Sequence, residues 1–450
     1  MLCGGVFMSD NKSIHIIGIG GAGMSALADY FMDDGYLISG SDCNHSDNTK
    51  RLRESGVKIY HRHDFNNIGN PDFVIYSAAI MDNNMELKYA KENHSTLTRA
   101  DAINLISHQH ENVIGVSGTH GKTTTTAMIS YVLINAGINP SVLLGGKIPS
   151  KNKNGIKGEN ILVCEACEFA KTFLEMKRDI SVILNIDEDH LEYYKTMDNL
   201  QNAFSEFTSE SQICFCFGDD KRCIDAGSNA KKYITFGYGD NNDWYPLNVT
   251  KKQGKWEFDV NHNGEFYCHI SLNIPGKHNI LNALATIAVC DYLGIRSDEI
   301  CKHINSFSGV ARRFEIIGQK NGITIADDYA HHPTEIEALA LSAKDMGYKK
   351  VTAIFQPFTF SRTHLLKDEF IRVLSIFDRA IITDIMGSRE INTYGISSKD
   401  LCDKNDKFIY CPTFEEAKDY ILKTVDNGEL IISIGCGDIY KCGRMIFESL

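Results

Sequence analysis

Short apolar runs of four to six residues recur along the chain, each ending in a glycine-rich or polar turn and followed by a longer stretch with helical spacing. IHII at 14–17 runs into GIGGAG, and a helix from about Met24 to Met32 stops near Gly35. YLISG ends at Ser41–Asp42, and DFVIYS at 72–77 leads into a small-residue turn, Ala78–Ala79. Strands alternating with helices predict a parallel sheet, here within residues 8–107. The pattern restarts at NVIGVSG, 112–118, with a helix TTTTAMISYVLINAG that stops at Gly137 and strands at 161–166 and 181–186. Residues 244–272 change character: near-alternating polarity around an Asn-Gly pair predicts a hairpin added to the main sheet. PGKHNILNALATIAVCDYLG then returns to helix, and a third restart near Arg312 brings strands at 323–328, 351–356, 379–384 and 430–435. The expected fold is α/β with three consecutive domains, 8–107, 108–311 and 312–450.

Composition narrows the class. At 450 residues the chain exceeds one ordinary core, and 43% apolar with 23% charged residues is a globular profile. A net charge of −12 argues against a nucleic-acid partner. No apolar run approaches the ~18 residues of a membrane span, so membrane insertion is not expected. The opening MLCGGVFMSDNKS lacks the features of a secretory signal, and Met8 is a second candidate start. The 14 irregularly spaced cysteines are therefore expected to be reduced thiols in a cytoplasm, Cys164 and Cys167 of CEAC included.

Gly18, Gly20 and Gly23 form G-x-G-x-x-G between strand and helix, and Asp42 ends the next strand. Glycines let a backbone approach a pyrophosphate, and the helix N-terminus adds partial positive charge. Gly18, Gly20, Gly21, Ala22 and Gly23, with Asp42 and the turn Ser77–Ala78, are the candidate contacts. The motif admits NAD or any other nucleotide diphosphate.

A second turn, GVSGTHGKTTTT at 115–126, has the surroundings of a phosphate loop but the wrong count for G-x-x-x-x-G-K-[ST], since five places before Gly121 stands Val116. Gly118, Gly121, Lys122 and Thr123 nevertheless supply backbone N–H groups, a cation for β/γ oxygens and a hydroxyl for Mg²⁺. A nucleotide-linked substrate beside an ATP loop points to a ligase or kinase rather than a dehydrogenase.

GTHGKTTTT, with GIGGAGMSALA, resembles the Mur ligases, whose loop reads G-T-x-G-K-[ST]. Further stretches resemble that family in order, from residue 14 to about 440. The resemblance implies a Rossmann-like first domain, a P-loop-type central ATP-binding domain and a Rossmann-like third. It implies that Gly118, Thr119, His120, Gly121, Lys122, Thr123 and Thr124 hold ATP. Glu165 of EACE and Thr123 would bind one Mg²⁺, and His190 of NIDEDHLEYY a second. His278, Asn279 and Asn282 of PGKHNILNALA would position ATP and its adenine, and Arg313 of VARRFE would face the transferring phosphate. DDYAHHPTE at 327–335 places Asp328 and His331 where ATP meets the incoming amino acid; a metallohydrolase cluster fits it less well, because adjacent pairs point apart on a regular element. Arg362 of FQPFTFSRT would help hold the amino acid. Two positions depart from the family: Phe358 where it carries His, which removes a polar group near the acceptor pocket, and Cys436 in SIGCGDIY where it carries Ala.

The branch resembled implies ATP-dependent joining of L-alanine to the lactyl carboxylate of UDP-N-acetylmuramate, in peptidoglycan precursor synthesis. Lys122, His190, Arg313, His331 and Arg362 would be its catalytic residues, ATP and Mg²⁺ its cofactors, and a monomer or homodimer its state. Three alternatives stay beside it: a recycling ligase that adds a preformed peptide, an NAD-dependent oxidoreductase, and a non-catalytic nucleotide-binding protein.

Overall fold

Three sheets follow one another along the chain in the computed structural model, which describes residues 12–148, 151–252, 254–388, 390–403 and 405–450. Met8 lies outside the described residues. By its contacts the chain divides into two units: Met1–Tyr245 with Asn261–Glu265 and Asn282–His303, and Pro246–Val260 with Phe266–Leu281 and Ile304–Leu450.

The first sheet is parallel, in the order Lys58–Tyr60, Leu37–Ser41, Ser13–Ile17, Phe73–Tyr76, Thr96–Thr98. The first strand in sequence lies in the middle, with connections leaving to either side. Its carboxyl end is therefore a topological switch point, where open α/β sheets bind ligands. Ile14, Ile16 and Ile17 are fully buried, as both faces of a parallel strand require. The helix after the glycine turn runs Ala22–Asp33, two residues earlier than its sequence spacing suggests.

The second sheet has ten strands. The strand Asn112–Ser117 lies between Ile161–Glu165 and Ile180–Ile183, parallel to both. The turns at the carboxyl ends of these three strands therefore emerge side by side. The expected hairpin is a three-stranded meander, Trp244–Lys252, Lys255–His262 and Glu265–Ser271. Its second turn is the Asn263–Gly264 pair, both at positive φ. Alternating polarity marked this segment correctly, but a turn without such a signal hid one strand.

The third sheet has the order Glu315–Lys320, Ile323–Asp328, Glu429–Ile434, Lys350–Phe355, Arg379–Ile382, Phe408–Tyr410. All its pairings are parallel except the first; the antiparallel strand Glu315–Lys320 was not among those expected from the sequence. The described cysteines are free apart from Cys268 and Cys301, which are disulfide-bonded and correct the expectation of reduced thiols for that pair. Burial pushes the Cys164 thiol up to about 12, leaving it an inert core group rather than half of a reactive pair. Among the described residues no helix is long and apolar enough to cross a membrane.

Candidate functional site

The first glycine turn sits at the switch point of its sheet. Gly18 takes φ +81°, and its N–H donates to Ser41 O at 2.8 Å. A Cβ on Gly18 would stand 3.0 Å from that of Ser77, so the turn and the Ser77–Ala78 segment lie against each other. Asp42 is also there, but with both carboxylate oxygens engaged: Oδ2 accepts from Gly20 N at 2.9 Å and Oδ1 from Asn44 N at 2.8 Å. The acid shapes the turn from inside. Beneath it lies a buried network that the sequence did not reveal. Glu86 accepts from His15 at 3.0 Å, His63 at 2.7 Å and the Ser41 hydroxyl at 2.6 Å. Burial alone would raise the Glu86 carboxyl, yet the bonds from His15, His63 and Ser41 outweigh it and hold the group at about 2.

Arg99 was also missed. It opens the helix Arg99–Ser107, and a Cβ on Gly23 would collide with its guanidinium. Its Nε is buried without a hydrogen-bond partner. A lone arginine says little in a sequence; its place over the glycine turn appears only when Thr96–Thr98 pairs with Phe73–Tyr76 and that strand with Ser13–Ile17.

The second loop is held by its neighbours. Asn185 Oδ1 accepts from His120 N at 2.8 Å, and Asn185 Nδ2 donates to His120 O at 3.0 Å. Thr119 Oγ1 donates to Asp187 O at 3.2 Å and accepts from Asp187 N at 2.9 Å. His120 Nε2 lies 3.5 Å from Asp187 Oδ2. The NIDEDH segment thus pins the loop through Asn185 and Asp187, two residues to which sequence reasoning gave no role. Gly121 is left-handed at φ +89°, and its missing Cβ leaves room for Asn282 Oδ1, which would lie 2.8 Å away. Of the four threonines that open the helix Lys122–Asn135, Thr123 and Thr124 are half-buried, whereas Thr125 and Thr126 are fully buried. Only the first two can serve a ligand.

Lys122 donates to Gly118 O, to Thr119 O at 3.1 Å and to Glu168 Oε1 at 3.1 Å. Burial alone would lower this ammonium; the Glu168 carboxylate, with Cys167 and Glu165 behind it, more than offsets that, and the net shift is upward. Glu165 is paired in register with Val116 at the base of the loop. Its Oε2 accepts from Gly145 N at 3.0 Å, while its Oε1 is buried with no hydrogen-bond partner. An orphaned carboxylate oxygen beside a phosphate loop fits a hard divalent cation. Among the described residues no three His, Cys, Asp or Glu side chains gather as a protein-only metal centre. His190 takes a left-handed φ of +57° and packs its ring on Phe169, centroids 4.9 Å apart. A bulky residue held there is a strained position of the kind found at functional sites.

On the helix His278–Tyr292, Asn279 donates its amide to Pro275 O at 2.6 Å and so locks the preceding turn, while His278 is exposed.

In the third sheet the carboxyl ends of three neighbouring strands converge. Asp328 accepts from Phe314 N and from Ala330 N, each at 2.7 Å. Burial, against the pull of Arg313, raises its carboxyl to about 6. Arg312 bonds Asp327 at 2.9 Å and Gly435 O at 2.6 Å, between the rings of Tyr329 and Tyr440. Arg313 lies 3.9 Å from Glu335, whose other oxygen is 3.3 Å from His331 Nδ1. Arg362 lies on the short helix Phe360–Leu365, close enough to Cys436 for its charge to act on that thiol. Ser361 N donates to Glu390 at 2.8 Å, a further contact the motifs did not announce.

Comparison with known proteins covers most of the chain. Three family profiles match in order: Mur ligase family, catalytic domain, over residues 13–110; Mur ligase middle domain over 116–290; and Mur ligase, glutamate ligase domain, over 312–437. A UDP-N-acetylmuramate–L-alanine ligase of Clostridium acetobutylicum is 42% identical over 97% of this chain and 98% of its own. One of Caldicellulosiruptor saccharolyticus is 41% identical over 96% and 98%. The crystal structure of the UDP-N-acetylmuramate–alanine ligase of Thermotoga maritima superposes with a TM-score of 0.86 at 29% identity, covering 97% of this chain and 98% of that one. A murein peptide ligase of Psychrobacter arcticus, at 22% identity and TM-score 0.77, shares the fold. With a pinned Lys-Thr loop, an acid at the adjacent strand end and three sheets matched in sequence order, the chain belongs to the Mur ligase family.

Proposed function

We propose that this chain joins L-alanine to the lactyl carboxylate of UDP-N-acetylmuramate with ATP, releasing ADP and phosphate, as a step of peptidoglycan precursor synthesis in the cytoplasm. The observation that carries the reading is the loop 118–123, in which the Lys122 ammonium is folded back onto the carbonyls of Gly118 and Thr119, with the orphaned oxygen of Glu165 at the loop's base. The relatives at 41–42% identity, both alanine-adding, supply the substrates.

A carboxylate and an ammonium form a salt, so the acid must first be activated. The lactyl oxygen attacks the γ-phosphorus of ATP, the bond to the bridging oxygen breaks, and ADP leaves. Alanine, its ammonium having lost one proton, attacks the acyl-phosphate carbonyl. The tetrahedral adduct expels phosphate, and the nitrogen loses a second proton as the amide forms. Lys122 and the loop amides hold the β/γ oxygens, and Arg313 offsets charge on the transferring group. Thr123, Glu165 and His190 would hold Mg²⁺, which when bound offsets charge on the phosphates. Thr119, His120, Thr124, His278, Asn279, Asn282 and Asp328 support the nucleotide, while His331 and Arg362 serve the amino acid.

The diphosphate of the UDP-sugar lies against Gly18–Gly23, with Ser77 and Ala78 alongside, Asp42 bracing the turn and Arg99 added as its cation. We place the domain limits at 8–107, 108–311 and 312–450. The NAD-dependent reading is set aside, because the first turn belongs to a ligase family and residues 115–126 have no part in hydride transfer. ADP release is the test, measured with UDP-N-acetylmuramate and each of L-alanine, other amino acids and a preformed peptide. Release with L-alanine is expected; release only with the peptide would move the chain to the recycling reaction.

A further inference from the structure

Glu168, the second acid of EACE, has no part in the roles above, yet it is the most deeply placed charge near the loop, at 1% exposure. Its carboxylate lies 3.1 Å (Oε1) and 3.0 Å (Oε2) from Lys122 Nζ. The remaining donors of that ammonium go to Gly118 O and Thr119 O. The lysine is thus fully engaged inside the protein. A buried carboxylate beside a triphosphate site opposes the ligand by its charge, so its placement needs a reason. That placement is built in: the Tyr194 hydroxyl donates to Glu168 O, and Ala170 and Lys171, just beyond, take left-handed φ of 54° and 59° in the turn.

We propose that Glu168 is a positioning residue, an internal anion that occupies Lys122 in the nucleotide-free chain and gives it up to the β/γ oxygens of ATP. The inference rests on the ATP-loop reading given above. Only the fraction of molecules in which Lys122 is released binds nucleotide well, so the ion pair lowers apparent affinity by that fraction. Loss of the γ-phosphoryl group removes oxygens that compete for the ammonium. Glu168 then recaptures it and helps ADP leave. In the empty loop the same contact keeps the lysine stem folded over the site rather than loose in solvent.

The test uses the full chain and binding rather than turnover alone. ATP and ADP affinities are measured by calorimetry, without UDP-sugar, for the unmodified protein, Glu168→Gln, Glu168→Asp, Lys122→Ala and the double variant Glu168→Gln/Lys122→Ala. Glu168→Gln is expected to bind nucleotide on the order of tenfold more tightly, with KM for ATP and kcat falling together as ADP release slows. Glu168→Asp, which keeps the charge, should lie between. In the Lys122→Ala background the gain from the Glu168 change should be several-fold smaller, because only the direct repulsion between carboxylate and phosphates is then relieved. Weaker binding by Glu168→Gln, or an equal effect with and without Lys122, overturns the proposal. If Glu168→Gln does not fold, the sign of the Glu168→Asp shift decides instead. No nucleotide binding by the unmodified chain would overturn the ATP-loop reading itself.

Discussion

The chain contains two glycine turns of the same outline, strand into turn into helix, and one glycine in each, Gly20 and Gly121, is required for a different reason. At 20 the requirement is space. Gly20 has no unusual φ, but a Cβ there would stand 2.8 Å from Asp42 Oδ2 and 2.8 Å from Thr49 Cγ2. At 121 the requirement is the backbone itself, at φ +89°. The turns also differ in where the cation comes from. In the second it is Lys122, one residue past the turn and held by Glu168. In the first it is Arg99, from a distant segment, and the carboxylate of Asp42 occupies one of the turn's own donors. A turn with its lysine built in suits a triphosphate that must react. A turn of backbone donors with a remote arginine suits a diphosphate that is only held.

The sharpest way to break this division is Lys122→Ala. ATP turnover should fall by on the order of a thousandfold or more, since the cation acts on charge that grows in the transition state. Binding of UDP-N-acetylmuramate, measured by calorimetry, should change by less than about twofold. Loss of both would show that the turns do not work as separate sites.

Smaller effects separate space from backbone. Gly121→Ala forces a left-handed alanine, at about 1–2 kcal/mol, and should weaken ATP binding roughly tenfold by the 1.4 kcal/mol per decade rule. Adding Asn282→Ala, which removes the nearest side-chain contact, should not restore it, because the strain in φ persists. Gly20→Ala should weaken UDP-sugar binding by a similar factor of about ten. Here Asp42→Ala in the same chain should recover part of the loss, because the clash is with a side chain. Rescue at 121, or none at 20, would reverse the assignment.

These differences explain what the sequence did and did not disclose. Both glycine turns, the strand ITIADD at 323–328 and the ordered series of motifs were legible because strand, turn and helix signals are local. Asp42 was legible as a participant but not in its role, since only the fold shows its oxygens on Gly20 N and Asn44 N. Arg99, Asn185, Glu168 and the Glu86 network were not legible as partners. Each acts on a residue dozens of positions away, through the pairing of strands that no local pattern reports. The extra strand of the meander was hidden by a turn that lacks the Asn-Gly signature of its neighbour.

The smallest expected change in catalysis concerns that Glu86 network, which braces the first turn. Ser41 O accepts the Gly18 and Ile19 N–H groups, and its hydroxyl donates to Glu86, so the turn rests on a buried carboxylate. The folded-state value of Glu86, about 2 against an ordinary 4.5, is depressed. Its contribution to stability is therefore fully present above pH 4.5 and lost as the pH falls through about 2. Glu86→Gln should cost roughly 2–3 kcal/mol at pH 7, read as a shift in the urea midpoint. The gap between the two proteins should narrow steadily from pH 4.5 downward. ATP binding at the second loop should stay within about twofold of the unmodified chain, whereas UDP-sugar affinity should fall severalfold. A gap that stays constant with pH would mean that the carboxylate is not ionised where it is buried. Equal losses at both sites would mean that the brace serves the whole first unit rather than its glycine turn.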